Sequence, residues 1–347
     1  MNHVQVYHGT LTRLYLVNPH SYLYFDVMKE GQPFKMRCEM RSATLLKRSG
    51  WDVATFKPGR HVDILAHPHR QDPHSCYLES VTIGGAGTIN RNEQFSSDQS
   101  LDTSHRALTT AAGDPNITGD WAVEQLVLTV PPNGGHGALV PKHLREAYAS
   151  GKITLAQIRA EYPRPSRPVY TAAGEAAAKS FKMWSTKDNP RLSCKPTSIL
   201  FDWGFDWPIN HIVQHRTADG ENVIDITYGS YSFTRRIHLD MDDHPANLTP
   251  TRSGHSIGHW EGNTLVVDTV GFKPGVLIPP TLNSDKLHVI ERFTLDPTTW
   301  SLKHQYTAED AVYLAKPYTA SDTVHLSAVP YQKYPCKELT YEFKGDN

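Results

Sequence analysis

The sequence is short of cysteine and carries no excess charge of either sign. Four cysteines in 347 residues are too few for a disulfide-built scaffold. None are spaced CxxC, which removes the usual structural-zinc and thioredoxin patterns. Lys+Arg number 35 and Asp+Glu 36, a formal net charge of −1. That balance excludes a protein whose main task is to neutralise nucleic-acid phosphates or to sit on an anionic membrane surface. No stretch approaches about 18 consecutive apolar residues, so no transmembrane helix is expected. GxGxxG, a P-loop and HExxH are also missing, and with them the main sequence support for dinucleotide, nucleoside-triphosphate and zincin chemistry. The expectation is therefore no cofactor, no metal, no nucleic acid and no membrane partner.

Aromatics and histidine, by contrast, are plentiful. Seven Trp, 16 Tyr and 11 Phe are enough for real cores, and 19 His is an unusual number. The four cysteines, Cys38, Cys76, Cys194 and Cys336, read as buried thiols. Cys194 and Cys336 bracket the C-terminal half and would pair in an oxidising compartment. The opening MNHVQVYHGT runs straight into a strand pattern with no charged region before an apolar one, so either the chain is cytoplasmic or a signal peptide has been removed.

The pattern of elements predicts a mainly β chain. Residues 1–85 read as a small OB-like β-barrel. Its strands are Val4–Val17, Tyr22–Met28, Pro33–Met40, His61–Ala66 and Cys76–Ile83, punctuated at Asn18-Pro19 and Glu30-Gly31. Ser42–Ser49 reads as one short helix behind a serine cap. Residues 86–188 read as a polar linker followed by short helices at Pro141–Ser150, Thr154–Tyr162 and Ala172–Trp184. Residues 189–347 carry about eight strands: Asn210–Arg216, Asn222–Tyr228, Ser232–Asp240, Ser256–Trp260, Thr264–Val270, His288–Thr294, Ser301–Glu309 and Thr323–Val329. A tight turn falls at Glu261-Gly262-Asn263. Short turns between sequential strands predict an up-and-down barrel or a related sandwich; the antiparallel, lipocalin-like barrel is the form able to hold one small ligand.

Several residues in that barrel bear chemistry. In Arg235–Asp240, alternation sends Arg236, His238 and Asp240 to one face and Ile237 and Leu239 to the other. With the polar face inside, a cation, an imidazole and a carboxylate line the cavity in a row, suited to acid–base work. With the aliphatic face inside, they are solvated. Gly254–Gly258 contains G-x-S-x-G around Ser256, but a hairpin follows where a nucleophile elbow needs a helix. His255 and His259 share a strand face. Asp268 is a carboxylate inside an apolar strand, which must be paired or functional; an ion pair to Arg235, Arg236 or Arg292 is the plain alternative. His288 and Arg292 share one face, with Glu291 on the other. Phe201–Trp207 packs four aromatics and two carboxylates into seven residues, as a pocket wall or a core plug. His67, His69 and His74 fit no standard zinc spacing, and Asp240, Asp242 and Asp243 lack the glycine and glutamate of a calcium loop.

Asp114–Trp121, Arg235–Asp240, Gly254–Thr269 and His288–Phe293 together resemble a widespread bacterial family without assigned function. Asn18-Pro19-His20 with Gly50-Trp51 resembles a small domain of unknown function that often precedes it. The resemblance implies a two-domain architecture with a lipocalin-like C-terminal barrel, and export, hence a periplasmic home. The sequence departs from that family at His259, where Arg is usual, and in Phe201–Trp207.

Taken together, these features predict a cofactor-independent acid–base enzyme, an isomerase, cyclase or lyase, acting on an apolar or aromatic small molecule in the C-terminal barrel. The expected catalytic residues are His255, His238, Asp268, Asp240, Arg236 and Arg292. Trp203, Phe205, Trp207, His259, Trp260 and His288 are expected to wall the pocket. A non-catalytic binding protein of the same shape is the alternative, separated from the enzyme by whether titratable groups converge in the pocket.

Overall fold

The computed structural model describes residues 4–18, 20–84, 87–91, 101–124, 126–134, 137–161, 165–204, 209–333 and 336. Pro19, Tyr162, Phe205, Trp207 and part of the expected linker lie outside the described residues. The chain is mainly β and divides into two interleaved units. One comprises residues 1–99, 125–162 and 334–347; the other comprises 100–124 and 163–333. The expected boundaries at 85 and 188 are thus replaced. Short strands within 86–188 pair into both units, which a composition-based linker reading has no means of showing.

In the first unit, β1 (Gln5–Tyr15), β2 (Tyr22–Lys29), β3 (Gln32–Glu39), β4 (His61–Pro68), β5 (Ser75–Ile83) and β6 (Gly87–Asn90) follow the order β3-β2-β1-β4-β5-β6. A parallel β3–β5 pairing closes five of them into a barrel. Alternation drives this closure. Leu11, Leu23, Phe25, Val62, Ile64, Leu78 and Val81 turn inward and are fully buried around Trp51 and Phe56. Helix α1 (Ala43–Arg48) starts where predicted, because the Ser42 hydroxyl accepts from Leu45 N at 3.4 Å.

The four cysteines are not thiols: Cys38 is bonded to Cys76, and none of the described cysteines is free. Cys38 and Cys76 face each other across the closing β3–β5 seam. Their separation of 38 residues closes a loop worth about 4 kcal/mol in the chain-entropy account. Cys38→Ala/Cys76→Ala should therefore lower the first unit's unfolding free energy by about 2–4 kcal/mol in urea titration. Equal midpoints for variant and wild type would show that the bond contributes nothing.

The second unit is built on a closed barrel of nine strands, one more than expected. The extra strand, β7 (Gly119–Val123), is only five residues long and lies in the stretch read as linker. The first unit meanwhile takes the hairpin of β8 (Leu126–Thr129) and β9 (Ala138–Pro141), with α2 (Arg145–Ala149) and α3 (Leu155–Glu161) beside it. Helix α4 (Ala172–Ser180) returns to the second unit.

The barrel continues through β10 (Asn210–Arg216), β11 (Asn222–Tyr228), β12 (Phe233–His238), β13 (His255–Glu261) and β14 (Thr264–Val270). A small β15 (Gly275–Ile278) and β16 (Thr281–Asn283) hairpin follows. Then β17 (His288–Asp296), β18 (Ser301–Glu309) and β19 (Tyr318–Leu326) lead back to β7. Barrel neighbours run antiparallel except β12 and β13, which pair in parallel through Ile237↔Ser256 and His238↔Ile257. The fully antiparallel expectation is corrected there. A parallel pair needs a long crossover, and residues 239–254 supply it.

The G-x-S-x-G segment belongs to this seam. A Cβ at Gly258 would sit 2.8 Å from Ile237 Cγ2, so only glycine lets β12 approach. Gly254 has φ +68°, and a Cβ there would lie 2.7 Å from the Val270 carbonyl oxygen. Ser256 is buried in the strand at 3.0 Å from the Thr269 hydroxyl, which makes it a packing residue.

Candidate functional site

Strand alternation allots every barrel side chain to the core or to the outer face. On β12, Arg235 and Ile237 point in while Arg236 and His238 point out. On β17, Val289, Glu291, Phe293 and Leu295 point in; on β18, Leu302, His304, Tyr306 and Ala308 do. The aliphatic face of β12 therefore lines the barrel. Of the two alternatives left open for this strand, it is the aliphatic face that is inside, with Ile237 held by the buried cluster of the core.

The interior nevertheless contains charge. Arg235 Nη1 donates to Glu291 Oε2 at 2.6 Å, and the two side chains are 1% and 0% exposed. His304 Nε2 lies 3.0 Å from Glu291 Oε1, and His304 Nδ1 lies 3.2 Å from Asp322 Oδ2. Trp203 Nε1 donates to Asp322 Oδ1 at 2.9 Å. Arg235, Glu291, His304 and Asp322 thus form a chain of alternating charge drawn from four strands. Asp322 keeps 25% of its side chain exposed, so the chain reaches solvent at that carboxylate.

Burial alone would lower the His304 pKa, but Asp322 and Glu291 outweigh it and hold the imidazolium at about 9. Burial pushes the Glu291 carboxyl up, yet Arg235 and His304 hold it below the usual range. The imidazolium is also stacked on Phe293 at 4.5 Å and meets the edge of Trp203 at 5.5 Å.

Beside this chain lies a second group of buried polar atoms. Asp202 Oδ2 accepts from Thr197 N at 2.6 Å, while its Oδ1 lacks a well-formed hydrogen bond. Burial raises the Asp202 carboxyl to about 6 against the opposing charge of Arg191. The hydroxyls of Tyr228 and Ser230, and Nε and Nη2 of Arg235, are likewise buried without a well-formed hydrogen bond. Tyr228 and Arg235 are within side-chain hydrogen-bonding reach of each other, as are Ser230 and Asp202, and Tyr228 also feels the charge of Glu291 and Asp202. An unsatisfied buried polar atom costs about 1–3 kcal/mol, so this group of loosely paired polar atoms stands apart from the rest of the core.

Among the residues expected at the site, Trp203 is inside, packed on Tyr228, Phe293 and His304. Trp260 is partly buried against the same core. His238, His255, Asp268 and His288 do come together, but on the outer face. Glu221 Oε1 is 2.5 Å from His238 Nδ1, and the His238 ring stacks on His255. His255 Nδ1 meets His244 Nδ1 at 2.8 Å. His244 and His288 both reach Asp268 Oδ1, at 3.1 and 3.0 Å. The carboxylate of Asp268 is thus paired with two histidines, not with Arg235, Arg236 or Arg292. Sequence reasoning misses His244 because it sits on the crossover, outside any strand pattern.

Asp240 is held by Asn222 N at 2.7 Å, Arg236 by Asp225 at 2.8 Å, and Arg292 by Glu261 at 2.6 Å with exposed His259 beside it. These groups are separate surface pairs. The loop histidines of the first unit are tied up locally: His69 Nδ1 accepts from Gln71 N and Asp72 N, and His74 stacks on Phe34. Among the described residues no group of three or more His, Cys, Asp or Glu is arranged to hold a metal ion.

His304 and Asp322 are not singled out by sequence reasoning, and Glu291 is named there only as lying on the face opposite His288 and Arg292. The signal is present all the same. Glu291 lies between Val289 and Phe293 at the i±2 positions of its strand, and His304 between Leu302 and Tyr306. The outer cluster follows a different rule from the core, and His255→Ala should leave small-molecule binding inside the barrel within about twofold of wild type. Isothermal calorimetry checks this; a tenfold loss would return the site to the outer face.

Among known proteins, residues 1–76 match a family of unknown function (DUF6152). The match spans β1–β4 and the start of β5 and ends before the nine-stranded barrel begins. No curated protein matches the chain. The N-terminal residues 1–76 are thus similar to a family with no assigned activity, and the nine-stranded barrel must be read from its own residues.

Proposed function

We propose that the nine-stranded barrel holds the reactive site of an acid–base enzyme working without a cofactor, an isomerase, cyclase or lyase, on an apolar or aromatic small molecule. The observation that carries this reading is the set of buried titratable groups Asp202, Arg235, Glu291 and His304, with half-buried Asp322 beside them, among the aliphatic and aromatic side chains of the barrel. A plain carrier of apolar molecules has no use for buried charges that cost several kcal/mol each to desolvate. Trp203, Phe293, Tyr306 and Tyr318 supply apolar and ring surface, and Asp202 is the proton-transfer group. Glu291 and His304 position Arg235 and hold Asp322. We further read the chain as a member of the exported bacterial two-domain proteins that its motifs resemble. The absence of free thiols among the described residues fits an oxidising compartment.

The test starts from whatever compound the protein retains. The retained molecule is extracted, identified by mass spectrometry and returned to fresh protein. An isomer or fragment forming with wild type and not with Asp202→Asn supports the enzyme. Recovery of the unchanged compound from both proteins makes the barrel a carrier.

A further inference from the structure

The barrel interior offers more than apolar surface. Four hydrogen-bond donors there are only loosely paired: Nε and Nη2 of Arg235 and the Tyr228 hydroxyl have one another, and the Ser230 hydroxyl has Asp202. Arg235 is committed to Glu291 only through Nη1, so the rest of a fully buried guanidinium has only the loosely placed Tyr228 hydroxyl to answer it. Tyr228 lies within electrostatic reach of both Arg235 and Asp202. The buried Asp202 Oδ1, which lacks a well-formed hydrogen bond although Ser230 lies against the same carboxylate, is the acceptor of the group. A cluster of donors beside one carboxylate acceptor matches a ligand presenting an oxygen and, next to it, a proton to lose. A saturated hydrocarbon would leave these atoms with only their loose mutual contacts.

We propose, resting on the barrel reading above, that the substrate is an enolisable carbonyl compound, with its carbonyl oxygen held by Arg235 and Tyr228 and its α-proton exchanged by Asp202. In the step, the C–H bond next to the carbonyl breaks and the proton passes to Asp202 Oδ1. The electron pair forms the enolate, whose negative oxygen gathers hydrogen bonds from the Arg235 guanidinium and the Tyr228 hydroxyl. Return of the proton to the same carbon gives exchange; return one double bond further along gives an isomer. No electron leaves the substrate and no co-reactant is consumed. The raised basicity of buried Asp202 suits proton abstraction near neutral pH. Donors fixed by the barrel act more strongly on the enolate than on the ground-state carbonyl, which is where rate enhancement arises.

The probe is acetophenone in D2O, with loss of its methyl signal followed by proton NMR and with ethylbenzene as a binding control. Wild-type protein is expected to speed exchange by about tenfold or more over buffer. Asp202→Asn should abolish the acceleration, and Tyr228→Phe and Arg235→Lys should each cut it by about tenfold or more. Lys keeps a cation against Glu291 and Phe keeps the ring, so these two variants remain folded; ethylbenzene affinity within about twofold of wild type verifies it. If acetophenone binds but exchanges no faster than in buffer, the carbonyl proposal is overturned and the barrel site stands. The carbonyl proposal is equally overturned if Tyr228→Phe and Arg235→Lys exchange as wild type does. If neither probe binds, the barrel reading itself fails.

Discussion

Replacing Arg235 by Met is expected to destabilise the nine-stranded barrel by about 3–5 kcal/mol. The cause is Glu291, which would keep its carboxylate in a fully buried position with only His304 at 3.0 Å to answer it. The Arg–Glu pair itself need not stabilise the fold, because desolvating both partners offsets much of their attraction. The double variant Arg235→Met/Glu291→Met should therefore recover a large part of the loss, while the function of the site disappears. Urea titration followed by near-UV dichroism reads the stability of both variants. A loss under about 1 kcal/mol in the single variant would mean that the pair is not a buried one.

The second large effect is with pH. His304 is held at about 9 in the folded state against an ordinary value of 6.5. Its contribution is fully present below about pH 6.5 and is lost as pH rises through 9. The difference amounts to roughly 3 kcal/mol for a fully buried group. On the outer face the sign is opposite. Burial, with His238 and His244 beside it, lowers the His255 pKa, so that group favours the fold above about 6.5 and opposes it as pH falls. The barrel should be most stable between these limbs. Urea midpoints from pH 5 to 10 are expected to fall between about pH 6.5 and 9 and to level off above that, and His304→Gln should flatten this limb. A wild-type midpoint constant from pH 7 to 9.5 would contradict the assigned ionisation.

Strand positions are legible in the sequence because alternation and turn chemistry are local. Thr264–Val270 and Ser301–Glu309 form strands with the expected ends, Gly262-Asn263 does form the two-residue turn, and Ser42 does cap its helix. What alternation does not state is which face is inside. On β12 one face is aliphatic except for Arg235 and the other is wholly polar, and only packing against Val267 and its neighbours in the core decides between them.

The interior charge chain is hidden for a different reason. Arg235, Glu291, His304 and Asp322 are spread over almost ninety residues of sequence, and the registers that bring their side chains together are tertiary facts. Asp268 illustrates the converse. It stands out as a carboxylate in an apolar strand, but Val266 and Val267 occupy both faces of β14, so its direction is not readable locally.

The central claim, that small molecules bind among the buried polar atoms of the nine-stranded barrel, is tested most directly by a crystal structure with 4-bromoacetophenone. Anomalous scattering locates its bromine without ambiguity. The expected result is a bromine peak inside the barrel, with the ring near Trp203 and Phe293 and the carbonyl oxygen within about 3 Å of Arg235 and Tyr228. Ordered water alone on Arg235 Nε, Tyr228 and Asp202, with bromine on the outer histidine face, in the first unit or nowhere, would contradict it.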